Sequence, residues 1–151
     1  MPLAVIALGS NLGDRQAHLE WAVGQLAACL SNLRVSAFLD TAPVDVPSPQ
    51  PRYLNAVVVG DTADRPEVLL ETLRRIELER GRQRPSFRAA RTLDLDLILY
   101  GDQIIDTADL AVPHPRFRTR RFVLEPLAAL VPTLKDPVTG RTMEELLEAL
   151  G

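Results

Sequence analysis

The 151-residue chain is poor in the groups that most readily announce chemistry: one cysteine (Cys29), one lysine (Lys135), two histidines and seven aromatic residues. A lone cysteine excludes a disulfide framework, and there is no zinc-ligand spacing of the C-x-x-C kind. Cys29 lies beside Ala28 and Leu30 in a helical pattern and reads as a buried thiol. No apolar run reaches the length of a membrane span, since Val57-Val58-Val59 is short and Leu124 to Val131 is broken by Glu125 and Pro126. Met1 to Leu8 lacks a basic region and is too short for a signal peptide. The P-loop pattern G-x-x-x-x-G-K-[ST] is missing as well. Gly9-Ser10-Asn11-Leu12-Gly13 has no following lysine and reads as a strand-to-helix turn. The expectation is a soluble, cytoplasmic protein that engages no membrane.

The sequence does have arginine, and it is unevenly placed. Sixteen of the seventeen basic residues are Arg, and eleven of them fall in two segments, Arg74 to Arg91 and Arg116 to Arg121. Arginine's planar fork suits bidentate contacts to phosphate oxygens. A net charge of −3 argues at the same time against nonspecific nucleic-acid binding. With 46% hydrophobic content, residues 1–151 are expected to form a single domain with its own core.

Apolar periodicity orders the elements. Leu3 to Leu8 reads as a buried strand, and Leu19, Ala22, Val23, Leu26, Ala27 and Leu30 as a first helix. Val35 to Leu39 is a second strand, Thr41 to Arg52 a proline-rich loop, and Leu54 to Val59 a third strand. Asp64 and Glu67 have the spacing of a capping box for a helix through Leu69, Leu73 and Ile76 that ends at Gly81. A small hairpin near Gln103 to Ile105, a helix from Phe122 to Val131, and a last helix begun by Thr142 and Glu145 follow. The order predicts an α+β, ferredoxin-like βαββαβ core: an antiparallel sheet with two helices on one face, plus C-terminal helices.

The most pointed segment is Arg91 to Tyr100, RTLDLDLILY. Strand alternation puts Leu93, Leu95, Leu97 and Leu99 on one side and Asp94, Asp96, Ile98 and Tyr100 on the other. Asp is a poor strand former and two on one face repel, so the pair calls for a compensating partner. A divalent cation suits it, because residues two apart on a strand are about 6.5–7 Å apart. Both carboxylates can then converge on one Mg²⁺ or bracket two. Paired carboxylates with arginine clusters on either side form the parts list for phosphoryl transfer.

Read together, Ala7-Leu8-Gly9-Ser10-Asn11-Leu12, Tyr53-Leu54-Asn55-Ala56, Arg75-Ile76-Glu77, Gly81-Arg82, Arg91 to Asp96, Val112-Pro113-His114 and Arg120 through Pro126 resemble the 6-hydroxymethyl-7,8-dihydropterin pyrophosphokinases of folate biosynthesis. The resemblance runs nearly end to end. It implies transfer of pyrophosphate from ATP to a pterin alcohol with release of AMP, and two Mg²⁺ ions held by Asp94 and Asp96. By the same resemblance Arg82, Arg84 and Arg91 contact phosphates, with Arg82 and Arg91 counted as catalytic alongside the two Asp residues. Arg74, Glu77, His114 and Arg120 line the ATP site. Tyr53 and Phe122 sandwich the pterin ring, Asn55 reads its polar edge, and Thr41, Ala42, Pro43 and Val44 complete the pocket. Small-molecule substrates, no nucleic acid and a monomer are implied too. The chain departs from the pattern at Phe87-Arg88-Ala89-Ala90, where a Gly-Pro-like pair is common, and at Arg74, where Gln is common. Two other readings share these residues: a metal-dependent nuclease or nucleotide hydrolase, and a ferredoxin-like RNA-binding module. A pI near 5.4 and the lack of an RNP-like run count against the second.

Overall fold

A computed structural model describes residues 1–41, 52–81 and 92–151. Five strands form the main sheet: β1 (Leu3–Ser10), β2 (Ser31–Val35), β3 (Leu39–Thr41), β4 (Tyr53–Asp61) and β5 (Asp94–Tyr100). Their order is β2-β4-β1-β5, with β3 continuing alongside β4, and every pairing is antiparallel. This is the expected split βαβ arrangement. The all-apolar centre of β1 and β4 occupies the middle of the sheet, where both faces are covered.

Helices α1 (Arg15–Ala27) and α2 (Pro66–Glu79) cover one face. Leu19, Ala22 and Leu26 from α1, and Leu69, Leu73 and Ile76 from α2, pack on Ala4, Ile6, Leu8, Val58, Leu95 and Leu97. Arg80 ties the helix ends together: its Nε donates to His18 Nδ1 at 2.9 Å and its guanidinium lies 5.0 Å from the Trp21 ring. The opposite face receives a short 3-10 turn (Phe117–Thr119), α3 (Arg121–Leu130) and α4 (Met143–Leu150), which bury Val5, Val57, Val59, Ile98 and Leu99. A two-stranded ribbon, β6 (Ile105–Asp106) with β7 (Ala111–Val112), stands in the region of the expected hairpin.

Several local expectations change. The predicted strand over Val35 to Leu39 instead spans the break between β2, which ends at Val35, and β3, which begins at Leu39. There Ser36 lies between the strands: its N–H donates to Val57 O and its Oγ accepts the Val57 N–H. Asp64 does not cap α2. Arg65 occupies the N-cap position without a side-chain hydrogen bond, and Pro66 opens the helix, where proline's missing N–H costs nothing. Cys29 follows the α1 cap and is half-buried rather than buried within the helix. The box at Thr142 and Glu145 is present in full at the start of α4.

Strand β5 alternates as expected only up to Leu97. Val5 pairs with Leu99 and Ile6 with Leu97, so Ile98 is an extra residue, a bulge. Beyond it the faces exchange: Leu99 joins the α3/α4 core and Tyr100 the α1/α2 core, the reverse of simple alternation.

Candidate active site

Small side chains line part of the second face. Along β1 that face carries Val5, then Ala7, then Gly9, and the last two pair with Asp96 and Asp94 on one side and with Val57 and Asn55 on the other. One row therefore runs Asp94, Gly9, Asn55, Leu39 across four strands. At about 4.7–4.9 Å between neighbouring strands, Asn55 lies roughly 10 Å from Asp94 along that row. Gly9 lies inside β1 rather than in the strand-to-helix turn that its sequence suggests. A Cβ there would meet Asn55 Oδ1 at 3.3 Å and Tyr53 Cδ1 at 3.5 Å. The descending series Val5, Ala7, Gly9 on one face was the signal in the sequence that could have identified this floor.

The polar groups on this floor are fixed. Asn55 is 6% exposed, and its Nδ2 donates to Thr41 Oγ1 at 2.6 Å. The amide NH₂ is thereby committed to β3, which leaves Oδ1 on the Gly9 side. Tyr53 pairs with Thr41 at the end of the same strand pair. Phe122 lies in the first turn of α3, which packs against β3 and β4, and the Arg120 guanidinium lies 5.6 Å from the Phe122 ring centroid. The structure thus places Thr41, Tyr53, Asn55 and Phe122 on elements that share one side of the sheet. Ala42, Pro43 and Val44 lie outside the described residues.

On the other side of Gly9 a cleft of about 500 Å³ runs between α2, the start of β5 and the segments on either side of β7. Arg74, Glu77, Asp94, Asp96 and His114 all line it. Asp109, Leu110 and Pro115 line it too and were not anticipated, because nothing in their local sequence marks them. Glu77 is 5% exposed, and its Oε2 accepts the backbone N–H of Leu95 at 2.7 Å. Arg82, Arg84 and Arg91 lie outside the described residues.

His114 is held by its backbone and its ring. Its N–H donates to Ile98 O at 2.8 Å, and its Nδ1 accepts the Arg116 N–H at 3.2 Å. Burial, reinforced by the positive charges of Arg120 and Arg116 and opposed by Asp94, pushes its pKa down to about 4. The ring is neutral near pH 7, and with Nδ1 accepting, its proton sits on Nε2. It is a hydrogen-bond donor, not a cation.

The carboxylates of Asp94 and Asp96 share a face two residues apart, and among the described residues no three His, Cys, Asp or Glu side chains gather into a metal-holding group. Two carboxylates alone suit a hard cation that takes its remaining oxygens from phosphate and water, as Mg²⁺ does. They do not suit a structural zinc, which needs four protein ligands.

The family model described as 7,8-dihydro-6-hydroxymethylpterin-pyrophosphokinase (HPPK) matches residues 5–132. A Synechocystis protein named 2-amino-4-hydroxy-6-hydroxymethyldihydropteridine pyrophosphokinase is 40% identical over 153 residues, covering 96% of this chain and 74% of its own length. The Pseudomonas aeruginosa protein of the same name is 41% identical over 146 residues, covering 95% and 89%. Among solved structures, an HPPK-DHPS in complex with substrates superposes with a TM-score of 0.78 at 13% identity over 98% of this chain, which spans 43% of that one. Wild-type Plasmodium falciparum HPPK-DHPS gives 0.76 at 15% identity, with 98% and 44% covered. The structural likeness carries the fold, and the family match and the sequence relatives carry the kinship: this chain belongs to the HPPK family.

Proposed function

We propose that this protein transfers the terminal diphosphate of ATP to the hydroxymethyl group of 6-hydroxymethyl-7,8-dihydropterin, giving the pterin diphosphate and AMP. Diphosphate transfer in folate biosynthesis follows from the family and from the names of its relatives. The use of ATP with two Mg²⁺ ions is the finer part of the proposal. The observation that carries it is the shared row: an acidic pair and an amide-and-aromatic patch lie on one sheet face, separated by a glycine.

In this reading the pterin lies over Gly9, its ring between Tyr53 and Phe122 and its polar edge against Asn55 Oδ1 and Thr41. A flat heterocycle needs stacking faces and a few fixed polar groups to orient it. The triphosphate occupies the cleft along β5. Asp94 and Asp96 would hold the cations, His114 donates from Nε2 to a phosphate oxygen, and Arg74 and Arg120 flank the nucleotide. Arg82, Arg84 and Arg91 contribute further phosphate contacts, as the sequence resemblance implies. When bound, Mg²⁺ neutralises phosphate charge and favours the ionised form of the attacking hydroxyl. The pterin hydroxyl oxygen forms the new bond to the β-phosphorus, and the bond from that phosphorus to the α-phosphate bridging oxygen breaks. AMP leaves with the electron pair and the hydroxyl proton passes to solvent. Residues 1–151 act as one domain and as a monomer in the cytoplasm; no helix among the described residues is long and apolar enough to cross a membrane.

Chromatography of nucleotides after incubation with ATP, Mg²⁺ and the pterin tests this reading. AMP is expected only when the pterin is present, in equal amount to pterin diphosphate. ADP, or hydrolysis that ignores the pterin, would favour a nucleotide hydrolase instead.

A further inference from the structure

Strand β5 is the edge of the main sheet, so every second backbone N–H along it points away from β1. Asp94 and Asp96 pair with Gly9 and Ala7 of β1. Leu95, between them, turns its N–H outward, and Glu77 Oε2 takes it at 2.7 Å. The Leu95 side chain meanwhile sits in the α1/α2 core. The peptide segment that joins the two Asp residues is therefore held on three sides: by β1, by the core, and by a carboxylate from α2 that is 5% exposed. Because Glu77 forms no metal-holding group with Asp94 and Asp96, its oxygens are not grouped as a third ligand.

We propose that Glu77 is a positioning residue: its buried carboxylate accepts the Leu95 N–H and thereby sets the separation and tilt of the Asp94 and Asp96 carboxylates. The inference rests on the Mg²⁺–ATP reading above and revises the role in nucleotide contact that the resemblance implied for Glu77. Burial keeps water from competing for the same N–H, so the bond is held more firmly than it would be at the surface. Two carboxylates that must meet cations at oxygen distances narrow to a few tenths of an ångström gain from such a restraint, as metal ligands do from the partners that orient them. The acceptor oxygen, rather than the charge, is the working part.

Two variants separate these contributions. Glu77→Gln keeps an acceptor oxygen at the same reach, whereas Glu77→Met keeps the length and fills the space without one. Amide exchange at Leu95, read by NMR, should remain slow in Glu77→Gln and quicken at least about tenfold in Glu77→Met. Mn²⁺ binding, read by EPR with a non-hydrolysable ATP analogue present, should weaken about tenfold to a hundredfold in Glu77→Met and stay within about threefold in Glu77→Gln. The affinity of the analogue without metal should be unchanged in both, and kcat should follow Mn²⁺ affinity. Loss of metal binding in Glu77→Gln equal to that in Glu77→Met would overturn the proposal, as would a defect confined to metal-free nucleotide affinity. If Glu77→Met does not fold, Glu77→Gln alone decides: retained metal affinity supports acceptance of the N–H, and lost affinity refutes it. Failure of the wild-type protein to bind Mn²⁺ with the analogue would instead refute the Mg²⁺–ATP reading.

Discussion

Asn55 donates from Nδ2 to Thr41 Oγ1 at 2.6 Å, a side-chain bridge between β4 and β3 on the face of the sheet that also carries Gly9. The bridge decides which end of the amide a ligand meets. Thr41→Val removes the acceptor while keeping the shape, and frees the amide to turn. The expected result is a rise of about tenfold in KM for the pterin, since misdirecting one buried polar group costs on the order of 1–3 kcal/mol. KM for ATP should not move, and steady-state kinetics with each substrate varied in turn would show it. An equal effect on both substrates would refute the assignment.

Gly9 gives a second test of the same pocket. A methyl group added there would press on Asn55 Oδ1 at 3.3 Å and sit in ordinary contact with Tyr53 Cδ1 at 3.5 Å, without backbone strain. Gly9→Ala should leave the melting temperature within a few degrees and weaken pterin binding by about tenfold or more, a cost typical of a filled pocket floor. Calorimetric titration with the pterin would measure it, and undiminished affinity would move the pterin elsewhere.

Asp96→Asn should lower kcat by about a thousandfold if the carboxylate holds a cation at the phosphates. Thermal stability should hold or rise slightly, because two like charges on one face become one. Turnover close to wild type would remove Asp96 from the metal site.

A prediction about stability concerns Asp136, whose side chain is fully buried. Burial alone would raise its pKa. Hydrogen bonds from Arg118, from Thr139 Oγ1 at 2.8 Å and from the Val138 N–H at 3.0 Å outweigh burial and hold it at about 2, against 3.8 unperturbed. A depressed carboxyl pKa stabilises the folded state above the unfolded value, so this contribution is whole above pH 4 and fades as pH falls towards 2. Its size is about 2 kcal/mol, from the 1.36 kcal/mol of each pKa unit. Urea melts of the wild type and Asp136→Asn should differ by that amount at pH 7 and converge near pH 2. A gap independent of pH would assign the effect to packing.

Elements whose signals were local were legible in the sequence. Thr142 and Glu145 form their box because both partners are three residues apart in an open turn. Asp64 and Glu67 have the same spacing, yet Pro66 fixes the first helical position one residue later. There the Asp64 N–H is spent on Thr62 Oγ1 and its carbonyl accepts the Tyr100 hydroxyl. Ser36 shows another limit, since a hydroxyl standing in for a carbonyl against Val57 cannot be foreseen without knowing which strand lies beside it. The candidate site divided in the same way. Asp94 and Asp96 were visible as an anomaly within one strand, whereas the Glu77 contact to Leu95 joins residues 18 apart and exists only once α2 docks.

The extra residue at Ile98 separates the two occupations of β5. Upstream of it the strand presents acids to the cleft, and downstream it supplies Leu99 to the core under α3 and α4. A bulge bends and retwists locally, so it acts as a joint that absorbs mismatch. The pucker at residue 98 lets one strand turn Asp94 and Asp96 towards the cleft at one end and Leu99 into the α3/α4 interior at the other.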